Sequence, residues 1–122
     1  MIRRFRPTVP EIPRSRRFVA DAIRSQGAPA SDAVLLVASE LVTNAVRHGR
    51  GDVELRLEVD DGQVRIEVVD DGHAEVTIPA GEPEALAVGG RGLHIVQEAS
   101  RRWGAGFDPV GRTLVWAELS AL

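Results

Sequence analysis

Between residues 53 and 68 apolar and polar side chains alternate almost without a break, and no other stretch leaves the chain so few choices of fold. Val53, Leu55, Leu57 and Val59 share one face of an extended segment, and after Asp60-Asp61-Gly62 the pattern resumes with Val64, Ile66 and Val68. A period of two is a strand period, and an Asp-Gly turn between two such runs predicts an antiparallel hairpin with one buried face. That face needs a cover, because an apolar sheet surface left in water gains nothing from folding.

Helical spacing elsewhere supplies the cover. Val34, Val37, Ala38, Leu41 and Ala45 follow it, with Ser31 or Asp32 as the cap and His48-Gly49 as the stop signal. Val19, Ala20, Ala22 and Ile23 mark an earlier helix from about Pro13 to Ser25, preceded by a short extended stretch that Pro7, Pro10 and Pro13 interrupt. Leu93, Ile95, Val96 and Ala99 predict a third helix. Two last strands fall around 102–107 and 113–119, joined by Asp108-Pro109-Val110-Gly111. The expected fold is α+β: a two-layer sandwich in which a mostly antiparallel mixed sheet is covered on one face by about three helices. At 122 residues the whole chain, 1–122, makes a single domain with a single core.

Composition removes several function classes. The absence of cysteine excludes disulfide scaffolds, thiolate zinc sites and cysteine nucleophiles. The longest apolar run, Ala33 to Ala38, is too short to span a bilayer, and the start lacks the apolar core of a signal peptide, so a cytoplasmic protein is expected. Residues 1–17 hold six arginines against Glu11, while the rest holds nine arginines against seventeen acids. A basic arm thus precedes an acidic body. With Phe5 its one aromatic, the arm reads more simply as a solvated face than as a nucleic-acid module.

Three features carry possible chemistry. Glu40, Asn44 and His48 lie four residues apart, each displaced only about 40° around the helix axis from the last, so they form a polar ridge on one shoulder of the buried stripe. The plainer reading is a helix margin where Asn44 bonds locally and His48 meets the negative end of the helix dipole. Asp70-Asp71-Gly72 repeats the tripeptide of the hairpin turn, but no matching strand follows it. It opens a stretch rich in glycine and proline, where a carboxylate could accept from an exocyclic amine and glycine lets a flat ring approach. Gly89-Gly90-Arg91-Gly92 stands directly before the third helix, a place for either a phosphate or a plain hinge. The chain has no GxGxxG, no P-loop lysine and no metal-ligand spacing among His48, His73 and His94.

Taken in order, these segments resemble the GHKL superfamily of ATP-binding domains, shared by histidine kinases and gyrase. ELVTNAVRHG (40–49) resembles its N box, DDG (70–72) its G1 box and GGRGLHIV (89–96) its G2 box. RWG (102–104) followed by GRTLVWAEL (111–119) is similar to the anti-sigma-factor serine kinase branch and its stand-alone relatives. The resemblance implies that Glu40 is the general base, that Asn44 helps hold Mg²⁺, and that Asp70 accepts the adenine amine with Gly72 beside the ring. It implies Gly90 and Gly92 near the phosphates, Thr113 completing the nucleotide site, and His48 and Arg91 as phosphate-side contacts. Residues 72–92 would be an ATP lid. HAEVTIP after Gly72 lacks a second glycine common in the family, and no phosphoacceptor helix is present.

The implied function is an ATP-binding serine/threonine kinase that holds a sigma factor and phosphorylates a serine of an antagonist protein, using ATP/ADP and Mg²⁺. Its expected partners are those two proteins and a possible second copy of the chain, with neither nucleic acid nor membrane. A non-catalytic nucleotide-binding switch and a bare interaction domain remain as alternatives.

Overall fold

The computed structural model describes residues 1–72 and 92–121. In chain order the elements are β1 (Ile2–Phe5), α1 (Glu11–Ser25), α2 (Asp32–His48), β2 (Val53–Asp60), β3 (Gln63–Asp70), α3 (Gly92–Ala99), β4 (Arg102–Phe107) and β5 (Thr113–Ser120). The strands form one sheet in the order β1-β2-β3-β5-β4. Every pairing among the described residues is antiparallel, so the mostly antiparallel sheet is present without the parallel pairing that a mixed one would add.

The hairpin forms where the alternation placed it. Asp61 and Gly62 take positive φ values of 48° and 74°, the twist that a two-residue connection between right-twisted strands requires. Leu55, Leu57, Ile66, Ala117 and Leu119 point inward from the sheet to meet Val19 and Ile23 of α1, Val37, Leu41 and Val42 of α2, and Leu93 and Val96 of α3 in one buried cluster. No helix among the described residues is long and apolar enough to cross a membrane.

Two expected boundaries move. The first extended stretch is a true edge strand, with Ile2 opposite Arg56 and Phe5 opposite Val53. Its helix then begins at Glu11, so Pro13 sits within the first turn, where its missing N–H has no intrahelical partner to lose. The basic arm divides across the sheet: Arg3 bonds Glu11 and, at 3.0 Å, the buried Ser15 hydroxyl on the helix side, while Arg4 donates to Glu54 at 2.7 Å on the other side. Arg16, Arg17 and Arg24 lie exposed along α1, as a solvated helix face requires.

Candidate functional site

Asp70 ends β3, opposite Val53 of β2 and Thr113 of β5, so its side chain turns to the helix side of the sheet. It is only 8% exposed. Its Oδ1 accepts the Gly72 N–H at 2.7 Å, and the Gly72 carbonyl accepts the Thr113 hydroxyl at 2.7 Å. The segment leaving α2 runs alongside, with the Asp71 N–H donating to the Arg50 carbonyl at 2.8 Å. Burial pushes the Asp70 carboxyl above its ordinary range; the amides of Gly72 and Arg50 pull it partly back, and Asp71 pushes it up again.

Glycines make this approach possible. A β-carbon at Gly72 would lie 2.6 Å from Asp70 Oδ1 and 3.3 Å from Thr113 Oγ1, and one at Gly49 would lie 3.0 Å from Asp70 Oδ2. Gly51, at φ 68°, backs onto the Asp71 carboxylate in the same way. The reading of Gly49 as a helix stop is right about position and incomplete about cause: its backbone is extended (φ −75°, ψ 169°), so it serves close packing rather than a left-handed turn. Gly49-Arg50-Gly51, flanking the carboxylate, was missed as part of the site. Its sequence signal was two glycines two residues apart between a helix and a strand.

On α2, Ser31 is the cap: its hydroxyl accepts the Val34 N–H at 3.3 Å, and Asp32 begins the first turn. Glu40 and Asn44 are half-buried and, among the described residues, make no side-chain hydrogen bond or ion pair. The local bond expected of Asn44 is made one residue earlier, where the Thr43 hydroxyl donates to the Ser39 carbonyl at 2.6 Å. His48 is exposed, because it is the last helical residue and the buried stripe ends behind it. Gly49 touches the Asp70 carboxylate, and Glu40 lies about 14 Å back along the axis by the helical rise. Asp70, Gly72 and Thr113 are therefore one bonded cluster, Glu40 and Asn44 stand half-buried one helical turn apart on the helix that ends on it, and Gly92 opens α3. Gly90, Arg91 and most of the expected lid lie outside the described residues.

The two Asp-Asp-Gly copies now separate: the first is a hairpin turn, the second a buried carboxylate locked to its own glycine. An ionised carboxylate has about four lone-pair positions, and two amides leave capacity for one more N–H donor of the adenine-amine kind. Asn44 offers the oxygen that a hard cation takes. This α+β sandwich with its buried aspartate is a GHKL-type ATP-binding domain. Over residues 5–115 the chain matches the histidine kinase-like ATPase domain, and it belongs to that family. No curated relative matches it.

Proposed function

We propose that this chain is an ATP-dependent regulatory kinase of the anti-sigma type, which holds a sigma factor and phosphorylates a serine of its antagonist. The observation that carries the reading is the pairing of a committed end with an uncommitted one. Asp70, Gly72 and Thr113 are bonded together where the base would rest, and Glu40 and Asn44, further along α2, are half-buried and make no side-chain hydrogen bond or ion pair among the described residues. Asp70 accepts the base amine, Gly72 leaves room for the ring, and Thr113 holds Gly72. Asn44 supplies an oxygen for Mg²⁺, and Gly90, Arg91, Gly92 and His48 are assigned to the phosphate side. ATP, when bound with Mg²⁺, supplies the phosphoryl group and an electrophilic phosphorus. Glu40 accepts the proton of the attacking serine hydroxyl, and the rest of the site positions and neutralises charge.

Calorimetric titration of ATP and ADP, with and without Mg²⁺, tests the site. The native chain is expected to bind both, and Asp70→Asn, whose side-chain amide no longer presents a charged acceptor, to lose about tenfold or more in affinity. Glu40→Gln is expected to keep nucleotide affinity within about threefold while phosphoserine formation on a candidate antagonist falls at least about a hundredfold. Regulation that survives Glu40→Gln would assign a non-catalytic switch instead. Failure of the folded native chain to bind either nucleotide would leave only an interaction domain.

A further inference from the structure

The face of the sheet turned away from the helices carries a second charged assembly directly behind Asp70 and Thr113. Glu54, Val69 and Leu114 are the next residues along the three central strands and therefore point the opposite way. Here the segment between β4 and β5 folds back on itself. Asp108 Oδ1 accepts the N–H groups of Val110 at 3.1 Å and Arg112 at 2.8 Å, and Oδ2 accepts Arg112 Nε at 2.8 Å. Arg112 then reaches Glu54 at 3.8 Å, and Arg56 bonds Glu54 and reaches Asp108 at 3.8 Å. The carboxylates of Glu54 and Asp108 are 5% and 2% exposed, and Val69 beside them is fully buried.

Two buried carboxylates with paired arginines are a poor way to gain stability, because desolvation consumes most of the attraction. What such a cluster supplies is geometry. The Asp108 carboxylate grips both the backbone N–H and the guanidinium of Arg112, and the Asp108 N–H donates to the Arg112 carbonyl at 2.9 Å, so the residue that leads into Thr113 is held from the outer face. Thr113 in turn holds the Gly72 carbonyl, and the Gly72 N–H holds Asp70. We infer that Asp108 and Arg112, backed by Glu54 and Arg56, are positioning residues for the base-recognition end of the nucleotide site, acting through the Thr113 hydroxyl. The inference rests on the nucleotide reading above and adds residues to it that touch no nucleotide.

The test compares Asp108→Asn and Arg112→Gln with Arg102→Gln, which opens the outer end of the Arg65–Glu118–Arg102 pairing on the same face; that pairing meets the cluster through Glu67, which lies 3.6 Å from Arg56 and 2.8 Å from Arg65, so Arg102 is the member most remote from Asp108. Two readouts are taken. Amide exchange in the nucleotide-free chain is expected to quicken at Asp71 and Gly72 in both Asp108→Asn and Arg112→Gln, and not in Arg102→Gln. ADP affinity, by calorimetry, is expected to weaken about three- to thirtyfold in the same two variants alone. In the double variant Arg112→Gln/Thr113→Val the loss should be no greater than in Thr113→Val, because the route runs through that hydroxyl. Arg112→Gln carries the prediction by itself should Asp108→Asn not fold. A lower unfolding temperature with unchanged exchange at Gly72 and unchanged ADP affinity would make the cluster merely structural and overturn the inference. Additive losses in the double variant would overturn it as well. Absence of ADP binding by the native chain would overturn both this inference and the nucleotide reading, whereas binding with indifferent variants overturns this one alone.

Discussion

Asp70 meets two opposed demands. The folded chain removes its carboxylate from water, which favours the neutral acid, and a base amine needs the charged acceptor. Its folded pKa stands above the ordinary 3.8, so its contribution to stability is greatest below that value and is lost as pH rises through the folded one. Asp70→Asn, which keeps an oxygen for the Gly72 N–H, should therefore unfold at an equal or higher temperature than the native chain at pH 7. That difference should close as the pH is lowered to 4, even as nucleotide binding is lost; calorimetric scans across pH check it. Gly49→Ala makes the complementary point, since its β-carbon would press the Ala45 carbonyl and lie 3.0 Å from Asp70 Oδ2. We expect it to lower stability by about 1–3 kcal/mol in urea titration, the usual effect of overpacking, and to weaken ADP binding as well.

At the scale of elements, α2 does most of the positioning: it packs its apolar stripe on the sheet, presents Glu40 and Asn44 from one shoulder, and delivers Gly49 to Asp70. Its start rests on one hydroxyl. Ser31→Ala should cost about 1 kcal/mol of stability in urea titration, while Asp32→Ala, which removes only a charge in the first turn, should cost less than half as much. This helix and the hairpin were legible in the sequence because each follows a period that only one secondary structure satisfies. β1 was legible only as an extended stretch, since four residues without alternation do not announce a partner strand. The exposure of His48 was not legible, because angular position on a helix says nothing of where the neighbouring surface stops.

Across the whole molecule, charge is organised by the sheet. Burial pushes the Glu54 and Asp108 carboxyls up, but arginine hydrogen bonds and charges at Glu54, and the Arg112 and Val110 amides with the Arg112 guanidinium at Asp108, outweigh it and hold them below their ordinary 4.5 and 3.8, while arginine hydrogen bonds hold Glu11 and Glu118 below 4.5. For these four the sign is opposite to Asp70: their stabilisation is complete above the ordinary values and is lost as pH falls through the folded ones. The native chain should therefore hold a steady unfolding midpoint from about pH 8 to 5 and lose stability steeply below about pH 4. Glu54→Gln should flatten that acid limb, as urea titrations across pH would show.

The sequence by itself determined the hairpin, the three helices, the sandwich and the ordered segments that mark the family, because all of these are written in local period and in residues adjacent along the chain. Tertiary structure alone decided that the second Asp-Asp-Gly is a buried bonded cluster rather than another turn, that Gly49 and Gly51 stand against its carboxylates, and that Asp108 and Arg112 grip the sheet behind Thr113. Those facts depend on which strand lies beside which and on which side chains burial deprives of water. Residues such as Glu54 and Asp108 look like ordinary solvated acids until the sheet closes over them.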